Sequence, residues 1–294
     1  MQIGFSINEI LFLATLLTGA LWVAWKLKTR RLDRRRPEAD GLRRLAPEGD
    51  DERTPIGHAL LHEPEKKPLW VSFGADLFIV VALMFTCRVA VADWPKVPSG
   101  SMEPTLRVGD YLLVNHLAYG PRLPFTNTAI EFGRPQRGDV VVFRFPLDVS
   151  QFYVKRLVGM PGDEVRFQDG AVSVNGATID VQMLGDGSGA GVPPEDMGHW
   201  TLRETAAGHS RTVKVNPFLQ GRLPVDGLGA ACSAARAGTW TCRVPIGHYL
   251  MLGDNRDNSA DSRAWGFLPH EQVYGKAVRV LFNLHDLSRS WTAL

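Results

Sequence analysis

Two apolar runs near the start of the chain, with a strongly basic stretch between them, limit its architecture more than any other feature. The first run lies between Asn8 and Trp25, from Ile10-Leu11-Phe12-Leu13-Ala14 through Leu21-Trp22-Val23-Ala24-Trp25. A helix of about 20 apolar residues crosses a bilayer, and Trp22 and Trp25 stand where interfacial anchors belong. A cleaved leader carries its basic residues before the apolar run, but here they follow it, so a retained span over residues 1–25 is expected. Lys26, Lys28, Arg30, Arg31, Arg34, Arg35 and Arg36 stand against the lone Asp33. Beside a span, such a run is cytoplasmic by the positive-inside rule, which puts Met1 outside. The stretch 26–68 is expected to be a cytoplasmic basic loop, poorly ordered through Lys67. The second run, Pro68 to Trp94, is centred on Leu77-Phe78-Ile79-Val80-Val81-Ala82-Leu83-Met84-Phe85 and predicts a second span over residues 69–93. Asp76 and Arg88 fall in or near it, and a charge at membrane depth faces a partner or snorkels. Two spans place both chain ends, and everything after Trp94, outside.

From Gly109 the pattern turns to short strands rich in β-branched and aromatic residues, such as Asp110-Tyr111-Leu112-Leu113-Val114 and Asp139-Val140-Val141-Val142-Phe143-Arg144. Asp169-Gly170 and Asn175-Gly176 are the dipeptides of two-residue hairpin turns, which require positive φ at both positions. The expectation is a mainly β, antiparallel domain over residues 94–294, preceded by two transmembrane α-helices. Residues 181–245 are rich in Gly and poor in periodicity, and too long for a structureless loop. They predict a small inserted subdomain with strands of its own. Strand signals resume at His248–Leu252 and Lys276–Phe282.

A net charge of +2 suggests no nucleic-acid partner. Cys87, Cys232 and Cys242 form no Cys-x-x-Cys pair and show no metal-like spacing with His, so neither a metal nor an organic cofactor is indicated. Cys232 and Cys242 sit close together in the insert, where a disulfide is expected if the region lies outside the cytosol.

Three stretches carry chemistry. Val97-Pro98-Ser99-Gly100-Ser101-Met102-Glu103-Pro104-Thr105-Leu106 follows the second apolar run, and its prolines constrain the backbone around two serines. A serine hydroxyl needs a base to become a nucleophile. Six histidines after Trp94 leave a Ser-His-Asp arrangement open by count, but none sits in a recognisable motif. Lys155, in Tyr153-Val154-Lys155-Arg156-Leu157, is the other candidate. Strand alternation puts it on an apolar face with Tyr153 and Leu157. Buried there, its amine loses proton affinity and becomes a usable base. The third stretch, Gly253-Asp254-Asn255-Arg256-Asp257-Asn258-Ser259-Ala260-Asp261-Ser262-Arg263, reads as a hydrogen-bonded support loop, with Asp261 pairing Arg263 or Arg256. As a calcium loop it lacks a terminal bidentate Glu, and its arginines repel a cation.

Ser99-Gly100-Ser101-Met102, Tyr153-Val154-Lys155-Arg156 and the Gly253–Arg263 run, in that order after two apolar runs, resemble bacterial type I signal peptidase. Gly162-Asp163 after Pro161 also matches, while the insert does not. The resemblance implies a multi-pass serine endopeptidase of the bacterial inner membrane, with its catalytic domain on the periplasmic side. It would remove signal peptides from exported preproteins after small residues at −1 and −3. It further implies contact with membrane lipid and the secretion translocon. By resemblance Ser101 is the nucleophile, Lys155 the general base, and the Ser99 hydroxyl with the Ser101 backbone N–H the oxyanion hole. Ser259 would orient the lysine amine, with Asp261, Arg263 and Asp254 supporting the site. Met102, Leu106, Tyr153 and Val154 would line the pockets for the small substrate residues.

Overall fold

The computed structural model describes residues 7–43, 68–120, 132–168, 171–177, 179–188, 192, 196–206, 209–218, 226–236 and 239–294. The chain divides into two compact units, residues 1–89 and 90–294.

In the first unit, α1 (Ile7–Arg43) runs without interruption through the basic stretch. The expected loop from residue 26 is therefore helix at least to Arg43; no glycine or proline interrupts residues 26–36, and Lys, Arg and Leu are good helix formers. Residues 44–67 of that expected loop lie outside the described residues. Ile10–Arg31 is long and apolar enough to cross a membrane, and Leu13, Leu16 and Leu17 are each more than half exposed. The second apolar run is broken into α2 (Leu69–Gly74), α3 (Leu77–Thr86) and a π-helical turn over Cys87–Val91. The break falls at Ala75-Asp76, where aspartate is a poor helix former. At 10 residues, α3 is about 15 Å long, half of a roughly 30 Å hydrocarbon core. Among the described residues one helix, not the expected two, meets the length requirement for a span. Within this unit α3 packs antiparallel to α1, Phe85 beside Phe12 (ring centroids 5.8 Å apart) and Phe78 beside Trp22 (5.5 Å).

The second unit is mainly antiparallel β, as the strand signals predict. Its strands are β1 (Ala92–Asp93), β2 (Asp110–Asn115), β3 (Val140–Phe145), β4 (Asp148–Gly159), β5 (Glu164–Gln168), β6 (Ala171–Val174) and β7 (Asp180–Gly185). After these come β8 (Trp200–Ala206), β9 (His209–Val215), β10 (Cys232–Arg236), β11 (Thr239–Arg243), β12 (His248–Leu252), β13 (Leu268–Pro269) and β14 (Val273–Asn283). They form a seven-stranded sheet in the order β1-β2-β14-β3-β4-β12-β13, a four-stranded sheet β10-β11-β5-β6, and a three-stranded sheet β7-β8-β9.

Burial follows sequence pattern. The alternating strand β2 buries every second residue, whereas Val-rich β3, flanked on both sides, buries Val140 through Phe143 without a gap. Val97, Met102 and Leu106 pack with Leu112, Val140, Val142 and Val280 in one cluster; Phe143, Leu157, Met251, Trp265 and Leu268 form another. The residues flanking Ser101 thus anchor their segment to the sheet.

The Asn175-Gly176 turn has positive φ at both residues, 53° and 74°, as a hairpin turn of that sequence needs. It leads to a single bridge, Val174 to Ala177, rather than to a full strand, and Asp169-Gly170 and Thr178 lie outside the described residues. The insert is not one subdomain. Among its described residues only β7–β9 make a sheet of their own, while β11 pairs with β5 and extends the β5–β6 hairpin. Cys232 and Cys242, directly opposite in the β10–β11 pair, are joined by a disulfide.

Candidate active site

Register brings the pieces together. On β4, Lys155 stands opposite Val141 of β3, and Arg156 lies between Val140 of β3 and Leu252 of β12. The 253–263 loop leaves β12 immediately after Leu252, so it emerges beside Lys155. The Ser101 segment is carried to the same place by the apolar anchors Val97, Met102 and Leu106.

Lys155 is 4% exposed and Ser101 8%. The Lys155 Nζ donates a hydrogen bond to Ser101 Oγ at 2.5 Å. Burial pushes the Lys155 amine down to about 8, although Asp261 and Asp254 pull the other way. Its nitrogen also stands 5.6 Å from the Tyr153 ring centroid, on the face that strand alternation predicts. Three of the candidate histidines are engaged elsewhere. His248 Nδ1 contacts the Ile246 carbonyl, His270 Nδ1 the Tyr249 hydroxyl, and His116 Nδ1 the Tyr274 carbonyl.

A cleft of about 460 Å³ opens over the pair, lined by Pro98, Ser99, Gly100, Ser101, Gln151, Tyr153, Val154, Lys155, Asn258 and Ala260. Ser99 is exposed at this cleft. Tyr153 and Val154 line it, but Met102 and Leu106 do not. Both are fully buried in the core beneath the segment, so the expectation that they line a pocket is corrected. An apolar side chain next to a nucleophile serves equally well as a packing anchor, and sequence does not distinguish the two.

The 253–263 loop is braced throughout. Arg156 grips Asp254 through two hydrogen bonds, Nε to Oδ1 at 2.8 Å and Nη2 to Oδ2 at 2.5 Å. The Thr105 hydroxyl donates to the same carboxylate at 2.6 Å. Asp261 accepts from Arg263 Nε and Nη2, both at 2.8 Å, and from the Gly253 N–H at 3.0 Å. It also caps the short helix α4 (Ser262–Trp265) by accepting from the Arg263 N–H. Of the two arginines open as its partner, Arg263 is the one paired with Asp261. Ser259 departs from expectation. Its hydroxyl is buried with no hydrogen-bond partner among the described residues, so it does not hold the Lys155 amine here. It lies against Gly253, where a Cβ would collide with Ser259 Oγ and sit 2.5 Å from the Ser101 carbonyl. Only glycine lets the loop pass that close.

Several contributors escape sequence reasoning. Asn255 donates its backbone N–H to the Ser101 carbonyl and Nδ2 to the Gly100 carbonyl, each at 3.1 Å, fixing the nucleophile segment. Thr105 and Arg156 lie inside the motifs, yet their roles appear only once Asp254 is beside them. No side-chain set suited to a metal occurs among the described residues.

Known proteins resemble this chain over most of its length. The family model "Signal peptidase, peptidase S26" matches residues 70–282. The chain is 37% identical over 240 residues to Signal peptidase I of Pseudomonas aeruginosa, covering 78% of each protein. It is 38% identical over 233 residues to Signal peptidase I of Pseudomonas fluorescens, covering 75% of each. Against Signal peptidase I of Haemophilus influenzae the identity is 30% over 339 residues, spanning 99% of this chain and 89% of that one. The chain belongs to the signal peptidase family, peptidase S26, and is a serine peptidase.

Proposed function

We propose that this protein is a membrane-anchored endopeptidase that removes N-terminal signal peptides from exported preproteins, with Ser101 as nucleophile and Lys155 as general base. The observation that carries the reading is the 2.5 Å contact between a buried amine and the Ser101 hydroxyl. Near neutral pH a useful fraction of an amine held at about 8 is uncharged, and it then accepts the proton that Ser101 Oγ gives up. The oxygen attacks the scissile carbonyl carbon, and the Ser99 hydroxyl with the Ser101 N–H receives the developing oxyanion. Loss of one such donor reduces the rate by about 10²–10³. Protonated Lys155 passes its proton to the leaving amine, leaving an acyl-Ser101 ester. The same amine then activates water to hydrolyse it. Tyr153 and Val154 wall the cleft and favour small residues at −1 and −3.

The anchor supports a preprotein substrate, because a tethered substrate needs few contacts beyond a small-residue pocket. Topology follows from three features taken together. The basic stretch after Ile10–Arg31 belongs in the cytoplasm. The Cys232–Cys242 disulfide belongs in an oxidising compartment. The chain must therefore return across the membrane between them, and the whole broken apolar run Leu69–Val91, no one helix of which is long enough alone and whose α3 lies antiparallel to α1, is the segment to do it. Membrane lipid packed around this hairpin, the periplasmic face of the inner membrane and delivery by the secretion translocon complete the reading.

Ser101→Ala and Lys155→Ala should each abolish preprotein cleavage by the full chain in lipid vesicles, whereas His248→Ala and His270→Ala should leave it intact. Cleavage that survives Lys155→Ala sinks the dyad.

A further inference from the structure

The three-stranded sheet β7–β9 touches the 253–263 loop at a series of buried points. The Lys214 backbone of β9 brackets Asn255: its N–H donates to the Asp254 carbonyl and its carbonyl accepts from the Arg256 N–H, both at 2.8 Å. This is a parallel bridge between Lys214 and Asn255, so the loop runs locally as a fourth strand on that sheet. From β8, Glu204 takes Arg256 in a fork, Nη1 to Oε1 at 2.8 Å and Nη2 to Oε2 at 2.5 Å, and Arg211 Nε joins Oε2 at 2.7 Å. Glu204 and Arg256 are both at most 4% exposed. Burial alone raises the Glu204 carboxyl, but Arg256 and Arg211 overcome it and hold the group at about 2. The Lys214 ammonium reaches Asp196 at 2.7 Å and Glu103 at 3.3 Å, two residues past the nucleophile. The Asn216 N–H donates to Asp257 at 2.5 Å.

A short path joins this sheet to the reacting oxygen. Lys214 fixes the backbone on both sides of Asn255, and Asn255 holds the carbonyls of Gly100 and Ser101. Arg263 donates to the Arg256 carbonyl at 2.5 Å, so the Glu204 fork also touches the Asp261 brace. These contacts concern the orientation of the nucleophile segment; Glu204, Lys214, Asn255 and Arg256 do not themselves line the cleft.

We infer that the β7–β9 sheet is a clamp that sets the geometry of the Ser101 segment through the 253–263 loop, with Glu204 and Lys214 as positioning residues for peptide cleavage. The inference rests on the Ser101/Lys155 reading. Misplacement by about 1 Å at a reacting centre reduces rate about 10²-fold, so losing a clamp contact should lower kcat rather than substrate capture.

The test is steady-state cleavage of a preprotein by the full-length enzyme in lipid vesicles, well below its unfolding temperature. Glu204→Gln keeps the shape but leaves Arg256 buried without its counter-charge, so stability falls as well as activity. In the folded variant kcat should fall about 10–100-fold, with KM within about threefold of the parent. Glu204→Gln combined with Arg256→Gln removes the buried pair and, although Arg211 still loses its carboxylate, should recover part of the stability while kcat stays at least about tenfold down. If Glu204→Gln does not fold, the paired variant decides alone. A paired variant that regains the parent's kcat, or a folded single variant within about twofold of it, overturns the clamp, because a purely structural role restores activity along with stability. Ser101→Ala is run alongside. Residual cleavage there defeats the Ser/Lys reading itself, whereas a dead Ser101→Ala beside an unaffected Glu204→Gln defeats only the clamp.

Discussion

Two lysines lie buried in the β domain, Lys155 at 4% exposure and Lys214 at 2%, and their surroundings differ. Lys214 ends against two carboxylates, Asp196 and Glu103. Lys155 ends against a neutral hydroxyl, and no carboxylate is within salt-bridge reach among the described residues. Asp254 and Asp261 lie near enough to raise its proton affinity, but their oxygens are spent on Arg156, Thr105 and Arg263, and burial prevails. Burial therefore does not by itself make a lysine a base. What matters is whether opposite charge accompanies it inside, since an ion pair fixes the ammonium as a strut and a hydroxyl leaves the amine free to exchange its proton.

The largest effect that could break this comparison is an exchange of chemistry at each position. Lys155→Arg keeps length and charge but removes the neutral form, because guanidinium does not deprotonate in proteins. Cleavage should fall by more than about 10³, general-base loss compounded by misfit beside Ser101. Lys214→Arg keeps what a strut needs and should retain activity within about tenfold, since the carboxylates of Asp196 and Glu103 accept a guanidinium. Initial rates on a preprotein compare the two; equal losses would erase the distinction between base and strut.

The same pair marks where sequence reading stops. Lys155 follows a valine and alternates with Tyr153 and Leu157; Lys214 lies between Val213 and Val215. Each reads as a lysine in a strand that buries one face, and local pattern treats them alike. What separates them are Ser101 on one side and Asp196 and Glu103 on the other, contributed from far along the chain. Strand positions, the Asn175-Gly176 turn, the disulfide and the three motifs were legible because each is written locally in side-chain period, turn chemistry or resemblance. Hidden were the splitting of residues 181–245 between two sheets, the Glu204–Arg256 fork and the interior placement of Met102 and Leu106, which depend on long-range pairing. The unbroken helix through Lys26–Arg36 and the break at Ala75-Asp76 escaped for a different reason. Hydropathy measures apolar length and is blind to where backbone geometry interrupts it.

A second, smaller effect sharpens the comparison through pH. Lys155 works as its uncharged form, so kcat/KM should rise about tenfold per pH unit while most of the amine is protonated, and level off above about 8. Between pH 6 and pH 8 the gain should be roughly 50- to 100-fold, and the ascending limb should be unchanged in Lys214→Arg. A flat profile from about pH 5 to about pH 10 would count against a lysine base.

The smallest effect concerns stability and has the opposite sign to the activity loss. Folding carries Lys155 from an ordinary amine at 10.5 to one held at about 8, so below pH 8 the unfolded chain binds the proton more tightly than the folded one. That penalty is fully present below about 8 and disappears as pH rises toward 10.5. By linkage it amounts to roughly 3 kcal/mol. Lys155→Met removes the charge and keeps an unbranched chain in the same space, but leaves Ser101 Oγ without its partner, which returns roughly 1 kcal/mol or more. The inactive variant should therefore be more stable than the parent by about 1–2 kcal/mol at pH 7, with the gap closing through pH 8 to 10.5 as the parent gains stability. Denaturant unfolding of both proteins across that range measures the gap. A Met variant that is less stable at pH 7, or a gap that does not narrow with rising pH, would mean that Lys155 carries no such penalty, and burial beside a hydroxyl would then not set it apart from Lys214.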